Sequence, residues 1–480
     1  MKQQLKMNLR RIAIALCLLW IGGLFARDAF AGPANRHASQ QSVNVPINLN
    51  GFGAPLPGVV NNPSDLATFA TGQLNFKEIE TLPEVGPIMN GVSCAGCHSQ
   101  PAIGGGGLTI NEIRVRNSTQ PGPVHIFAVD NMLRNGAQSQ GGTPIFITGV
   151  ESEPLGCQIT SPGCQPSACQ IEEETKTTFN PGLPTCDPTN TDFQNGGNCV
   201  VGRAAVPIFG DGLVEAVSDT TLEQVAKSEP QAIQGSVKMV TENFLSAAHV
   251  GRFGWKDDHA TLRGFAGDAY LNEMGITNPD NQTEVSQCAA GLTAYSIALE
   301  TPPSAEPEDG IDPNGRADID RFSDFMRALS PPPTLPQSSA ATSGAQIFNK
   351  IGCAGCHTPS LRTASNPASF IPPTSGGVVM SASLNRTLSN QTFNPYSDFL
   401  LHEMGSLGDG ITSGTAGPTM IRTAPLWGIR GKSVYLHDGR AQDIPTAISL
   451  HDGQAKAAAQ SFEALAPQQQ QNLVSFLDTL

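Results

Sequence analysis

Cys94-Ala95-Gly96-Cys97-His98 recurs later in the sequence as Cys353-Ala354-Gly355-Cys356-His357. These two copies of one five-residue motif indicate what the chain folds around. In each copy, two thiols three positions apart are followed directly by a histidine. This spacing lets both thiols form thioethers with the vinyl groups of one haem while the adjacent imidazole binds its iron. A redox CxxC pair and a zinc site are the alternatives, but neither explains a histidine after both pairs. The sequence therefore predicts two covalently bound haem c groups.

Similar apolar patterns flank both motifs. Residues at i, i+3, i+4 and i+7 form one helix face at Phe322, Phe325, Met326 and Leu329, and again at Leu473, Phe476, Leu477 and Leu480. Ser343 is predicted to cap a short helix that carries Ile347 and Phe348 and leads into Cys353. A helix, CxxCH, loops and a closing helix form a small cytochrome c domain. The predicted fold class is mainly α, with two cytochrome c-like haem domains.

Proline marks the boundary between these domains. Ser330-Pro331-Pro332-Pro333 stops the preceding helix and stiffens the chain after it. We predict an N-terminal haem domain over residues 32–330, a Pro/Ser linker over 331–343 and a C-terminal haem domain over 344–480. The first domain holds an insertion, from about 104 to 249, in which Gly-rich loops alternate with β-branched runs. We interpret the insertion as irregular, with some strand at Ile110 to Val115 and Ile145 to Val150.

Six further cysteines lie mainly in this insertion, and no CxxC occurs among them. They are Cys157, Cys164, Cys169, Cys186, Cys199 and Cys288. An even number of cysteines in an oxidising compartment favours three disulfides that cross-link the insertion. Six cysteines allow 15 connectivities, and the sequence does not choose among them. A metal cluster is the alternative interpretation.

The N-terminus has the pattern of an export signal. Basic residues are followed by the apolar run Ile12 to Ala26 and by Ala29-Phe30-Ala31, a small-x-small cleavage site. The run is shorter than the roughly 20 residues that cross a bilayer. We predict that residues 1–31 are a cleaved signal peptide and that the mature protein is periplasmic. No other segment is long and apolar enough to span a membrane.

The composition excludes several classes of protein. The chain has 480 residues, a formal net charge of -14 and only 15% charged residues, so nucleic acid is not expected as a partner. Hydrophobic residues make up 39% and are spread along the chain, which excludes general disorder. The 50 Gly and 37 Pro predict many turns between short helices.

A second internal repeat lies away from the haem motifs. Phe253-Gly254-Trp255-Lys256-Asp257, with Leu262 seven residues after the Trp, parallels Tyr435-Leu436-His437-Asp438-Gly439-Arg440, with Ile444 seven residues after the His. Together with the repeated CxxCH and closing helices, this parallel indicates that the halves are diverged duplicates.

With these motifs assembled, the chain resembles the di-haem oxidoreductase family, which is related to the bacterial di-haem cytochrome c peroxidases. The stretches that carry the resemblance are Gly86-Pro87-Ile88-Met89-Asn90, Arg252-Phe253-Gly254-Trp255-Lys256, Glu273-Met274-Gly275-Ile276-Thr277, Leu401-His402-Glu403-Met404-Gly405, Arg422-Thr423-Ala424-Pro425-Leu426-Trp427-Gly428 and Tyr435-Leu436-His437-Asp438-Gly439-Arg440. They bracket nearly all of the chain after residue 31, except the Cys-rich insertion.

The resemblance implies roles for individual residues. Trp255 would be an electron relay between the haems, and Glu273 an acid/base group over the first haem. Met420 would be the distal ligand of the second haem, with His402 close by; His402 and Tyr435 are the rivals for that iron. A thioether ligand raises a haem's potential, which suits a site that receives electrons.

The chain also departs from the peroxidase pattern. Phe265 stands where a Gln is expected, and no His follows the first CxxCH until His125. The first iron is therefore expected to lack a sixth ligand. His437 and His451 each precede Asp-Gly, and we interpret both as hydrogen-bonded turn residues, with iron ligation as the alternative.

The function that follows is reduction of a small-molecule oxidant, hydrogen peroxide or a similar one. Electrons would enter from a small donor protein at the second haem, pass Trp255 and reach the oxidant at the first haem. Peroxide reduction needs an open iron site and a group that moves protons, and a carboxylic acid such as Glu273 can do this when burial raises its pKa. The alternatives are a non-catalytic electron carrier and a haem oxygenase or protein-modifying oxidase of the same architecture. The sequence does not determine whether a bridging Ca2+ is also bound.

Overall fold

Short helices joined by long turns make up most of the part of the chain that the structure describes. The computed structural model describes residues 51–80, 93–107, 110–116, 132–133, 186–189, 199–274, 276–282 and 310–480, with 110–116, 132–133 and 199–200 described for their backbone alone. All of these belong to one compact unit, Val45–Leu480. The predicted signal peptide lies outside the described residues. Among the helices that are described, none combines the length and the apolarity needed to cross a bilayer.

The described helices are α1 Pro57–Val60, α2 Pro63–Lys77, α3 Cys94–Cys97, α4 Asp211–Glu215, α5 Asp219–Ser228, α6 Leu262–Met274, α7 Asp318–Ala328, α8 Ser339–Lys350, α9 Ala382–Leu388, α10 Ile444–Ser449, α11 Lys456–Glu463 and α12 Pro467–Leu477. The described strands are β1 Ile110–Arg116, β2 Met132–Leu133, β3 Cys199–Ala204, β4 Met239–Val240, β5 His249–Val250, β6 Leu361–Arg362, β7 Thr392–Phe393, β8 Leu401–Glu403 and β9 Met420–Arg422. All of the strand pairs are antiparallel. The mainly helical fold class is confirmed.

Each CxxCH motif is preceded by a helix that crosses the closing helix of its own half. The α2–α7 crossing occurs at Gly72, where a Cβ would collide with the carbonyl oxygen of Arg321. The α8–α12 crossing occurs at Gly344, where a Cβ would collide with the carbonyl oxygen of Asn472. Glycine is required at both crossings because the two backbones approach too closely for any side chain. The predicted similarity of the two halves is thus present in their packing.

Aromatic rings lie one turn beyond each glycine and fill the space toward the haem motif. Phe76 packs on Phe325 with ring centroids 5.1 Å apart, and Phe348 packs on Phe476 at 5.4 Å. The predicted apolar faces of α7 and α12 are the faces buried in these contacts. Each half therefore has an aromatic core directly behind its CxxCH motif.

The loops around Trp255 and His437, which correspond in sequence, share one backbone conformation. A β-bridge joins Phe253 to His259, and another joins Tyr435 to Ala441. The residues before Trp255 and His437 have φ of 79° and 68°, and the residues two positions after them have φ of 51° and 67°. Helices α6 and α10 begin seven residues after Trp255 and His437. The structure confirms the parallel predicted from sequence.

The helix before the second motif begins earlier than predicted. α8 starts at Ser339, and the hydroxyl oxygen of Ser338 accepts a hydrogen bond from the backbone N–H of Ala341. The predicted cap, Ser343, is wrong: it lies inside the helix and donates to the carbonyl oxygen of Ser339. Because Ser and Ala tolerate helical geometry, the helix extends back to the first capping residue after Pro336.

The insertion divides into two different parts. β1 pairs with β2 and β3 in a sheet of order β2-β1-β3, which confirms the predicted strand at Ile110 to Val115; the run Ile145 to Val150 lies outside the described residues. From Ile208 to Leu222 the expectation of irregular structure is wrong, because α4 and α5 bury apolar side chains in the main core. Cys186 is buried and disulfide-bonded. A cross-linked insertion with three disulfides stays a prediction.

Candidate functional site

Cys94 and Cys97 lie on α3, Cys353 begins the 3-10 turn Cys353–Gly355, and Cys356 directly follows that turn. All four are thiols and half-buried. Burial raises the pKa of the Cys94 thiol, and it raises the pKa of the Cys353 thiol to about 12. Neutral, partly accessible thiols three positions apart suit thioether formation with two vinyl groups.

His357 has the arrangement of an iron ligand. Its Nδ1 lies 2.9 Å from the carbonyl oxygen of Tyr396, which accepts the ring N–H and leaves Nε2 as the atom that can bind a metal. Burial lowers the pKa of His357 to about 4, so the ring is neutral at pH 7. A neutral imidazole whose second nitrogen is fixed by a carbonyl fits the proximal position of the second haem.

His98 stands at the equivalent position in the first motif. Burial lowers its pKa, and nearby carbonyls of Gly105 and Val206 oppose this only in part. Its Nδ1 is buried and has no hydrogen-bond partner. A buried ring nitrogen without a partner is costly, and coordination of a ring nitrogen by iron would satisfy such a group. His98 therefore fits the first haem.

The second motif borders a buried histidine and carboxylate. Nδ1 of His402 lies 3.6 Å from Sγ of Cys356, and its Nε2 lies 3.0 Å from Oδ2 of Asp398. Burial disfavours the charged ring, but the hydrogen bond to Asp398 outweighs it and raises the pKa of His402 to about 11. The three side chains are also close enough together to hold a metal ion. The structure thus brings His402 to the second motif, as the resemblance implied.

Met420 lies on the other face of the same hairpin. In the β8–β9 pair, His402 is opposite Ile421 while Met420 is opposite Glu403, so His402 and Met420 point to different faces. Sδ of Met420 accepts the backbone N–H of Gly417 at 3.3 Å. The structure does not bring Met420 and His402 together.

Trp255 lies where the two halves meet, and three separate segments hold it. Its indole N–H donates to the carbonyl oxygen of Ala204 at 2.9 Å, and its own carbonyl oxygen accepts the N–H of Arg422 at 2.9 Å. Its ring meets the ring of His437 edge to face at 6.1 Å between centroids. A buried, oxidisable ring in this position fits a relay.

A charged network beside Trp255 was missed by sequence reasoning. Nζ of Lys256 lies 2.9 Å from Oδ1 of Asp409, and it donates to the carbonyl oxygens of Gly417 and Met420 at 2.8 Å. Arg203 donates to the other carboxylate oxygen of Asp409. Lys256 and Asp409 are fully buried. The one available signal was a lysine directly after a tryptophan, within a stretch rich in charged residues from Arg252 to His259.

Glu273, the predicted acid/base group, is half-buried in the last turn of α6. Phe265, which stands in place of the expected Gln, packs against Phe253 at 6.3 Å and His259 at 5.7 Å. The position is therefore part of an aromatic cluster and provides no hydrogen bond. His125 lies outside the described residues.

The two turn histidines differ. Nδ1 of His451 lies 2.8 Å from the carbonyl oxygen of Ala447, as expected for a hydrogen-bonded turn residue. His437 also lies in a turn, but its Nε2 is buried with no hydrogen-bond partner, so the interpretation as a hydrogen-bonded residue is wrong for this nitrogen. Burial lowers the pKa of His437 to about 4, and the ring is neutral.

The family model "Di-haem oxidoreductase, putative peroxidase" matches residues 191–480. No curated protein matches the chain. Among solved structures, hydrazine synthase from Kuenenia stuttgartiensis has 18% sequence identity over 38% of this chain and 64% of that chain, with a TM-score of 0.23. A MauG-like protein associated with microbial copper homeostasis has 15% identity over 48% of this chain and 71% of that chain, with a TM-score of 0.26. The diheme peroxidase BthA from Burkholderia thailandensis has 13% identity over 48% of this chain and 65% of that chain, with a TM-score of 0.27. The chain spans less than two thirds of the first and the third of these chains.

Proposed function

The chain belongs to the di-haem oxidoreductase family, and from this premise we propose that it is a periplasmic enzyme that reduces hydrogen peroxide. Both haems would be attached covalently, one through Cys94 and Cys97 and one through Cys353 and Cys356. The observation that carries the proposal is the pairing, in each half, of two half-buried thiols with a neutral histidine. When bound, the haems supply iron that accepts and delivers electrons and, at an open site, binds the oxidant.

The first haem site is proposed as the place of reduction. His98 would hold the iron of this haem, and no second histidine ligand is expected, because the next histidine in the sequence is His125. Glu273 would take the proton of bound peroxide and return it to the departing oxygen. Its position at the end of α6, half-buried, supports contact with both a ligand and solvent.

The second haem site is proposed as the entry point for electrons. His357 would hold the iron, and Met420 is the proposed distal ligand, with His402 and Tyr435 as rivals. Electrons from a small donor protein would pass Trp255, whose contacts reach into both halves of the chain. His402 and its hydrogen-bond partner Asp398 would lie at the edge of this haem, beside Cys356.

Export is part of the proposal, because thioether haems and disulfides both suit an oxidising compartment. The predicted signal peptide and the disulfide-bonded Cys186 support it. The proposed donor is a small redox protein in the same compartment.

Two measurements test the proposal. A pyridine haemochrome assay should give two haems per chain, and the double variants C94A/C97A and C353A/C356A should each give one. Purified protein should then reduce hydrogen peroxide with a reduced cytochrome as donor, and electron paramagnetic resonance should show one high-spin ferric haem. Fewer than two haems, two low-spin haems without turnover, or turnover of O2 in place of peroxide would each contradict it.

A further inference from the structure

Tyr270 and Glu80 form a buried pair that the proposed mechanism does not use. The phenolic O–H of Tyr270 donates to Oε1 of Glu80 at 3.2 Å. Tyr270 is 1% exposed and Glu80 is 5% exposed. A carboxyl group is expensive to bury, whereas a backbone carbonyl would satisfy a phenol at lower cost. The choice of a carboxyl partner therefore suggests a chemical role.

Two sets of contacts place this pair at the first haem motif. The ring of Tyr270 meets Phe322 edge to face at 5.1 Å, Phe322 meets Phe76 at 6.3 Å, and Phe76 meets His98 at 6.1 Å. The aromatic rings thus form a continuous path from Tyr270 to the predicted iron ligand. Glu80 is also close enough to Cys94 for its charge to raise the pKa of that thiol, in addition to the effect of burial.

The pair also differs chemically from Trp255. The indole N–H of Trp255 donates to the carbonyl oxygen of Ala204, and an amide oxygen is too weak a base to keep that proton. Oxidation of Trp255 would therefore leave it as a protonated cation. Tyr270 donates to a carboxyl oxygen, which can keep a proton. Of these two rings, only Tyr270 has an acceptor for the proton that its oxidation releases.

We propose that Tyr270 is a redox-active tyrosine of the first haem site and that Glu80 is its proton acceptor. Hydrogen peroxide takes up two electrons and two protons and leaves as two waters. When the second haem has been reduced beforehand and no further donor is present, Tyr270 would supply one of those electrons by way of the first haem and the second haem would supply the other, while the two protons come from solvent. The phenolic O–H bond breaks, a new O–H bond forms on Glu80, and a neutral phenoxyl radical remains. A reduced donor later returns the electron, and Glu80 returns the proton.

This inference rests on the proposed function, and the experiment separates the two. The chain has four tyrosines, so a radical can be assigned by substitution. Holoprotein whose second haem has been reduced is freed of excess reductant, mixed with hydrogen peroxide, frozen within milliseconds and examined by electron paramagnetic resonance. Material grown on ring-deuterated tyrosine identifies a tyrosyl signal by its narrowed lines. We expect that signal in the wild type, its loss in Tyr270→Phe, and a several-fold lower yield in Glu80→Gln, which keeps an acceptor oxygen but is not a base.

Tyr295→Phe is the matched control, because no role at either haem site is assigned to Tyr295. It should keep the full signal. Haem content is measured for every variant, and Glu80→Gln tests the pair even if Tyr270→Phe binds less haem. A wild type that consumes peroxide without a tyrosyl signal, or a signal that persists in Tyr270→Phe, overturns the inference and leaves the proposed function intact. A wild type that consumes no peroxide overturns both.

Discussion

The ring of Trp255 meets the ring of His437 at an interplanar angle of 71°, although the two residues are 182 positions apart in the chain. They occupy the same position in the two parallel loops, each seven residues before a helix begins. The duplicated halves therefore meet at their own equivalent positions. In the first loop this position holds the oxidisable indole of Trp255. In the second it holds His437, a neutral imidazole whose Nε2 has no hydrogen-bond partner.

Replacing Trp255 with Phe should slow electron transfer between the haems. Phenylalanine keeps an aromatic ring in the buried site but is much harder to oxidise. We expect at least a roughly tenfold lower rate, equal to about 1.4 kcal/mol in the barrier. Stopped-flow mixing of half-reduced enzyme with peroxide measures the rate. Phe393→Leu, which changes an aromatic residue packed on Trp427, is the control; an equal loss there would mean that Trp255 acts through packing alone.

Glu273→Gln tests the proton-handling role. Glutamine keeps the shape but cannot exchange a proton, so kcat for peroxide should fall by about 100-fold or more, with haem content unchanged. Glu223→Gln on the exposed face of α5 should leave kcat unchanged. Activity of Glu273→Gln within twofold of the wild type would assign proton transfer to another group.

Met420→Leu tests the ligation of the second haem. If the thioether binds the iron, the variant loses the sulfur-to-iron charge-transfer band and its second haem has a lower reduction potential. His402→Gln, on the opposite face of the β8–β9 hairpin, should keep the band. An unchanged spectrum in Met420→Leu would mean that Sδ stays with the N–H of Gly417 and that the iron has another ligand or none.

Ala substitutions at Gly72 and Gly344 test the helix crossings. Each added Cβ would collide with a backbone carbonyl, and the overpacking should lower the free energy of unfolding by about 1–3 kcal/mol. Thermal or denaturant unfolding of the holoprotein measures this loss. Gly417→Ala is the control, because a Cβ built there makes only ordinary van der Waals contacts, at 3.8 Å and 3.9 Å to Met420. Equal stability of all three variants would show that the helices can move apart without cost.

Asp409→Asn should destabilise the protein because it leaves two buried cations without their counter-charge. Breaking a buried pair costs about 3–5 kcal/mol. Arg203 and Lys256 overcome the opposing effect of burial and lower the pKa of Asp409 from 3.8 to about 2. The stabilisation is therefore fully present above pH 3.8 and is lost as the pH falls through about 2.

Denaturant unfolding at a series of pH values measures this effect. The difference between wild type and Asp409→Asn should be constant near neutral pH and should shrink below pH 3.8. Glu223→Gln, in an exposed pair with Lys227, should change the free energy of unfolding by no more than about 0.5 kcal/mol. A difference between wild type and Asp409→Asn that does not change with pH would contradict an ionic contribution.

Local patterns predicted the features that depend on neighbours in sequence. The CxxCH spacing and the apolar faces of α7 and α12 follow from residues within one or two turns. Helix α4 was missed because it has only five residues and follows Pro207 and Gly210, a pattern that is typical of a loop. Its burial depends on packing against distant segments.

The charged network could not be predicted for the same reason. Arg203 and Asp409 are 206 positions apart, and Lys256 reaches the carbonyl oxygen of Gly417 across 161 positions. No periodicity links such partners, and the value of each charge depends on the low dielectric of a site that exists only after folding. The position of His402 beside Cys356 was available only through the family resemblance.

One peptide unit in β3 affects how the protein could be shortened. The carbonyl oxygen of Ala204 accepts the Trp255 indole, and its N–H donates to the carbonyl oxygen of His437 at 2.7 Å. A shortened protein without residues 104–249 would lose both hydrogen bonds, the one from the Trp255 indole and the one to the His437 carbonyl oxygen. Deletions designed for easier production should therefore stop before Cys199, so that β3 stays anchored to the catalytic body.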